Sequence, residues 1–216
     1  MFVSFEGPEG SGKSTQAILL AEHLQARGYR TVLTREPGGT ALGDRLRELL
    51  MRSTEVRLTP RAETLLFCAA RAELVEEVVR PRLAEGYWVI CDRYSDSTLA
   101  YQAYGRGLDP AAVQEVISFA TGGLLPDLTV LLDLPPEEGL HRKGLEGDDR
   151  FEREALAFHC RVRTAYLDLA RCQPQRWLVV DARLPVAEAA GEISARVDRL
   201  LGTKCGQSTR PAAPGK

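Results

Sequence analysis

The chain contains no asparagine, only three histidines and no basic surplus. Without asparagine there is no Asn-Lys-x-Asp run, by which GTP switches read guanine, so that class is excluded. The histidine-arginine-aspartate loop of protein kinases is also missing, which excludes them too. A formal net charge of −2 argues against general nucleic-acid affinity, which shows itself as a basic excess. No apolar run approaches membrane-spanning length. Five cysteines form no C-x-x-C pair, their number is odd, and no secretory leader is recognisable. Reduced thiols and a cytoplasmic location are therefore expected. At 216 residues, one domain with room for a sizeable core is expected.

Against these gaps stands the run Phe5 to Thr15, FEGPEGSGKST. Gly7, Pro8, Glu9, Gly10, Ser11, Gly12, Lys13 and Ser14 fit G-x-x-x-x-G-K-[ST] at every fixed position. The short apolar run Phe2 to Phe5 precedes it. Ile18, Leu19, Leu20 and Leu24 follow at helical spacing, and Gly28 sits where a helix would stop. Strand, glycine loop and helix are the context this motif needs. Its backbone N–H groups converge on phosphate oxygens, and the helix N-terminus adds positive potential. Lys13 is placed for the β- and γ-phosphates and the Ser14 hydroxyl for Mg²⁺, so the motif predicts binding of a nucleoside triphosphate.

Further strands are predicted at Arg30 to Thr34, Tyr87 to Asp92, Leu128 to Leu134 and Trp177 to Asp181. Helical patterns cover roughly Pro60 to Glu85, Phe151 to Arg171 and Pro185 to Leu201, and Asp109-Pro110 reads as a helix start. This alternation predicts an α/β domain, a doubly wound five-stranded parallel sheet of the P-loop NTPase type, over residues 1–201. Residues 202–216, rich in Gly, Pro and Ser, are expected to form a disordered tail.

Asp92 closes the third predicted strand, where α/β sheets place ligand-binding residues. With Ser14 it is a candidate Mg²⁺ ligand, and Arg93 is placed to bridge donor and acceptor phosphates. A small-metabolite kinase fits this length. If the acceptor is itself a phosphate, its second pKa near 6 leaves the attacking oxygen ionised at neutral pH, and no general base is needed. His23, His141 and His159 accordingly read as structural or surface residues.

Several segments together resemble bacterial thymidylate kinase, from Phe2 to about Val197. They are Thr34-Arg35-Glu36-Pro37-Gly38-Gly39-Thr40, Leu66 to Arg71, Asp92-Arg93-Tyr94 with Ser97-Thr98 and Tyr101-Gln102, Arg106 to Asp109, and Pro126 to Thr129. The resemblance implies transfer of the γ-phosphate of ATP to dTMP, Mg²⁺ as cofactor, and a homodimer, with no nucleic-acid or membrane partner. Kinases for other nucleoside monophosphates, such as dUMP or CMP, remain the alternative within the class. A nucleotide-sensing regulatory ATPase is the alternative outside it.

Phe67 and Arg71 stand four apart on one predicted helix, an aromatic ring and a guanidinium suited to a thymine. The residues alone equally allow a core Phe and a surface Arg. Thr98 and Gln102 are likewise four apart, with Tyr101 placed against the sugar. Arg47, or its neighbour Arg45, resembles the family's acceptor-phosphate arginine, and Glu36 is expected to shape the turn over the acceptor. Glu9 matches an acid that in this family binds the 3′-hydroxyl of dTMP. The P-loop holds no arginine, so the resemblance places catalytic arginines in a lid at about residues 141–152. Arg142 and Arg150 are the candidates, with Lys143 a third, although this segment is more acidic than in some relatives.

Overall fold

A computed structural model of the chain describes residues 1–52, 56–143 and 150–205, with backbone alone at residues 52, 143 and 203–205. Five strands, β1 (Phe2–Glu6), β2 (Thr31–Arg35), β3 (Trp88–Asp92), β4 (Leu128–Asp133) and β5 (Trp177–Asp181), form one sheet in the order β2-β3-β1-β4-β5. Every neighbouring pair is parallel. Each strand lies within a residue of its predicted place.

β1 is the central strand. Its connection to β2 leaves in the opposite direction from those that come after β3 and β4 on either side of it. The loops at the C-terminal ends therefore diverge, opening the crevice in which such sheets hold ligands. Strand periodicity sorts the two faces. Val3 and Phe5, Trp88 and Ile90, and Leu128, Val130 and Leu132 pack under helices α1 (Lys13–Ala26) and, at the far end of the chain, Val186–Cys205. Phe2, Val89 and Cys91 face the other way, onto Leu74, Val75, Val79 and Tyr94.

Thr40 caps α2 (Ala41–Arg47), its hydroxyl accepting from the Gly43 amide at 3.0 Å, and a π-helical turn, Glu48–Arg52, extends that helix. The long helix expected from Pro60 is present in three parts, α3 (Pro60–Leu74), a π-helical turn (Val75–Val79) and α4 (Arg80–Ala84). Pro81 cannot donate to the Glu77 carbonyl, and the wide turn just before it accommodates that loss. After β3 come α5 (Ser95–Thr98), a π-helical stretch (Leu99–Gly105) and α6 (Pro110–Thr121), the last capped by Asp109 as expected. α7 (Pro136–Lys143) follows β4.

Two boundaries differ from expectation. Helix α8 spans Leu156–Cys172 rather than starting at Phe151. Phe151 is apolar and buried, but it fills an aromatic cluster with Phe67, Tyr101 and Phe158, on a turn closed by the Glu154 amide to its carbonyl. Helix α9, Val186–Cys205, runs past Leu201, so residues 202–205 continue the helix where a tail was expected. Residues 206–216 lie outside the described residues.

Candidate active site

Residues 7–12 form the turn between β1 and α1. Gly7 has φ 144, and a Cβ there would lie 2.5 Å from the Leu132 carbonyl oxygen, so only glycine fits against β4. Gly12, at φ 87, ends the turn and starts α1. Lys13 folds back over this loop, its ammonium donating to the carbonyls of Gly7 (3.1 Å) and Pro8 (2.8 Å) and to Ser11 Oγ (3.4 Å). Burial, with the nearby Arg93 charge, holds the Lys13 ammonium down to a pKa of about 8. The loop thus brings together the N-terminus of α1 and one desolvated cation, features suited to polyphosphate.

The two candidate metal ligands meet. Ser14 Oγ donates to Asp92 Oδ2 across the gap between α1 and β3. A hydroxyl and a carboxylate are hard oxygen donors suited to Mg²⁺. Among the described residues no cluster of three or more His, Cys, Asp or Glu could hold a metal.

Arg93 stands at the centre. Its φ is 70, a conformation that is strained for a side chain of this size, and its amide is pinned to the Phe5 carbonyl at 2.9 Å. The guanidinium donates to Gly7 O (3.1 Å), Ser97 Oγ (3.3 Å), Tyr166 OH (3.2 Å), Tyr101 OH (3.1 Å) and Glu9 Oε1 (2.6 Å). Burial opposes its charge, but Glu9 and the phenolic oxygens around it keep its pKa well above the ordinary value. Glu9 therefore turns toward β3, where Tyr101 also donates to Oε1 at 2.9 Å.

Behind Arg93 lies Glu6, fully buried at the end of β1. It accepts from the Tyr94 amide (2.8 Å), Ser97 Oγ (2.5 Å) and Tyr166 OH (2.9 Å). Burial, then the nearby Asp96 charge, pushes its carboxyl up to about 7. Ser97 and Tyr166 thus donate to Glu6 while accepting from Arg93, a chain that fixes the guanidinium from behind.

Seven of the eight candidate acceptor residues, Glu9, Phe67, Arg71, Arg93, Thr98, Tyr101 and Gln102, line one cleft beside the P-loop. The cleft encloses about 370 Å³, part of it open to solvent. Phe67 and Arg71 share a face of α3 as their spacing predicted, but Arg71 is only 1% exposed. Its guanidinium pairs with Glu36 Oε2 (2.8 Å from Nε, 2.6 Å from Nη2) and donates to Tyr94 O at 3.2 Å. Glu36 also lines the cleft, so besides any part in the turn it is the counter-ion of Arg71.

The eighth residue, Arg47, stands back from the cleft wall and donates to the carbonyl of Pro37, which does line it, at 3.0 Å. The lid candidates lie on two sides. Arg142 ends α7 and donates to the Ala182 carbonyl at 3.0 Å, over a second cavity lined by Ser11, Gly12, Thr15 and the start of α9. Arg150 donates to Leu58 O (3.3 Å) and lies 3.6 Å from Glu63, at the Gln102 end of the cleft. Gly144 to Asp149, the middle of the expected lid, lie outside the described residues, as does the Lys143 side chain.

Sequence reading overlooked Glu6, Glu63, Tyr166, Met51 and Phe151. Glu63 is 1% exposed and accepts from Gln102 and Arg106, while Met51 and Phe151 complete the cleft wall. One signal was present for Glu63, an acid one helical turn before Phe67 on the same face of α3. Glu6 and Tyr166 are 160 residues apart and carry no such signal.

The thymidylate kinase family model matches residues 5–193. A thymidylate kinase of Carboxydothermus hydrogenoformans is 52% identical, over 93% of this chain and 98% of that protein. One from Roseiflexus castenholzii is 48% identical, over 94% and 95%. The crystal structure of thymidylate kinase from Ehrlichia chaffeensis superposes with a TM-score of 0.75 at 34% identity, over 92% of this chain and 98% of that one.

Proposed function

The chain belongs to the thymidylate kinase family, and from that premise we propose that the cleft seats dTMP while the P-loop holds ATP. It is an ATP-dependent nucleoside monophosphate kinase that makes dTDP and ADP from dTMP and ATP. The observation that carries the assignment of the two sites is Glu9. It belongs to the phosphate loop in sequence, yet its carboxylate lines the neighbouring cleft and joins Arg93 and Tyr101 there. Donor and acceptor sites thus share a wall, as in-line transfer requires.

The roles follow the family resemblance, and the residues that line the cleft support them. The base stacks on Phe67, with Arg71, Thr98 and Gln102 at its edge. Tyr101 lies against the sugar, and Glu9 accepts from the 3′-hydroxyl. Arg93, with Arg47 behind Pro37, faces the 5′-phosphate. An oxygen of that phosphate attacks the γ-phosphorus, and the bond to the β-bridging oxygen breaks as ADP leaves. No proton need be removed, so the protein contributes positioning and charge. Lys13 and Arg93 bring positive charge to the transferring group from two sides, and Arg142 and Arg150 add to it from the lid. Ser14 and Asp92 would hold a Mg²⁺ ion when it is bound, and the ion would supply positive charge against that of the phosphates.

The enzyme works in the cytoplasm as a homodimer. In support, Leu65 on α3 and Phe119 on α6, neighbouring helices, are 57% and 91% exposed. Among the described residues no helix is long and apolar enough to cross a membrane. The test is phosphoryl transfer from ATP with Mg²⁺ across dTMP, dUMP, dCMP and CMP. Efficient and preferential dTDP formation is expected. Preference for another monophosphate would reassign the acceptor, and ATP hydrolysis indifferent to all of them would point to a regulatory ATPase.

A further inference from the structure

The base end of the cleft rests on a buried ionic cluster set apart from the P-loop and Arg93, with the lid candidate Arg150 at its edge. Glu63 is its centre. Its Oε1 accepts from Gln102 Nε2 at 3.0 Å and from Arg106 Nε at 3.1 Å, and its Oε2 from Arg106 Nη2 at 3.2 Å. Arg150 approaches Oε2 at 3.6 Å. Arg106 is itself held by Glu154 at 2.5 Å and lies 4.9 Å over the Phe158 ring.

An amide has two ends, a donor and an acceptor, and is free to present either to a ligand. Here the choice is made from behind. A carboxylate flanked by two guanidiniums offers only acceptor oxygens, so the NH₂ end of Gln102 must point to it. The carbonyl end then belongs to the cleft, which Gln102 lines. Gln102 is 2% exposed, and the hydrogen bond its side chain makes to Glu63 comes from Nε2, not from the carbonyl.

We propose that Glu63, without touching substrate, sets base selectivity by locking Gln102 with its carbonyl toward the ring nitrogen of the bound base. Thymine carries an N–H at that position and donates to the carbonyl. Cytosine carries a lone pair there, which meets the carbonyl oxygen head on. This deepens, and rests on, the reading of the cleft as the dTMP seat. Glu63 is a positioning residue, and Arg106 fixes it in turn.

The test is calorimetric binding of dTMP and dCMP to the full chain, wild type and Glu63→Gln, read without turnover. A glutamine at 63 can donate to the Gln102 carbonyl, so the amide is no longer held one way round. The dTMP-over-dCMP preference should fall by about tenfold or more, the loss expected for one mispaired buried group, with ATP affinity unchanged. A structural role alone would weaken both ligands equally, and an unchanged ratio overturns the proposal. In a Gln102→Met background Glu63→Gln should leave the ratio where Gln102→Met alone put it; independent, additive effects would overturn it too.

3-Deaza-dTMP, with a C–H in place of the ring N–H, should bind the wild type at least about tenfold more weakly than dTMP. Equal binding refutes the contact. Should Glu63→Gln not fold, Glu63→Asp withdraws the acceptor by one methylene and should shift the same ratio in the same direction. Absence of dTDP formation by the wild type would instead defeat the functional reading, leaving the binding ratios to decide Glu63.

Discussion

Removing Arg71 should damage two things at once, and the structure says how to separate them. Its side chain is 1% exposed and that of its partner Glu36 4%, so Arg71→Ala strands a carboxylate with no water to replace the lost cation. Glu36 Oε1 already lacks a partner among the described residues, which leaves nothing in reserve. Breaking a buried pair from one side costs roughly 3–5 kcal/mol. At about 2–4 °C per kcal/mol for a chain of this size, the melting temperature should drop by about 6–20 °C.

Acidity supplies the control. Burial holds the Glu36 carboxyl above its ordinary range, and Arg71 is the main influence pulling it back down. Without Arg71 it rises further, so the folded variant binds a proton that the unfolded chain, with its carboxyl near pH 4–5, has released. Stability of the variant relative to wild type should therefore recover as pH falls toward that range and worsen as pH rises. dTMP binding, measured where both proteins are folded, should lose a further 1–3 kcal/mol or so from the base edge. ATP binding should stay near wild type. A variant as stable as wild type, with no pH dependence in the difference, would refute the ion-pair reasoning. Equal losses for dTMP and ATP would remove Arg71 from the base site.

Three other outcomes are expected. Glu9→Ala should raise the KM for dTMP and lower turnover, and cost much less with a 3′-deoxy acceptor; equal penalties with both acceptors would show that Glu9 does not read the sugar. Lys13 is held to about 8 in the folded chain against 10.5 ordinarily, so between those values the unfolded state binds more protons and stability rises with pH. Lys13→Met should abolish transfer and flatten that rise, which denaturant titration across pH would check. Arg142→Ala and Arg150→Ala should each lower single-turnover rates more than substrate affinities, with Arg150→Ala also disturbing base selectivity through Glu63; unchanged rates in both would clear the lid arginines of a catalytic part.

The phosphate half of the site was legible in the sequence because it is local. Gly7 to Ser14 are contiguous, and the flanking strand and helix announce themselves by periodicity. Asp92 and Arg93 were legible from their place at a strand end. The acceptor half was legible only where a helix carries two of its residues one turn apart, as with Phe67 and Arg71 or Thr98 and Gln102. The supporting layer failed to show. Glu6 looks like the polar end of a strand until Tyr166 reaches it from α8, and Arg71 looks like a surface residue until Glu36 is seen beneath it. Phe151 read as the start of a helix because burial and helical spacing leave the same mark in a short segment.

The π-helical stretch Leu99–Gly105 has an evolutionary consequence. The Arg106 amide reaches back five residues to the Tyr101 carbonyl at 2.9 Å, so this part of the chain holds more residues per turn than an α-helix. Tyr101 and Gln102, proposed to meet the sugar and the base, both lie within it and line the cleft. Deleting one residue ahead of them would restore ordinary pitch and swing both side chains around the helix axis by about 100°. No single substitution rotates a whole wall of the pocket in this way. Within this lineage of enzymes, acceptor preference should therefore change more abruptly through one-residue insertions and deletions in this stretch than through replacement of any residue that contacts the base.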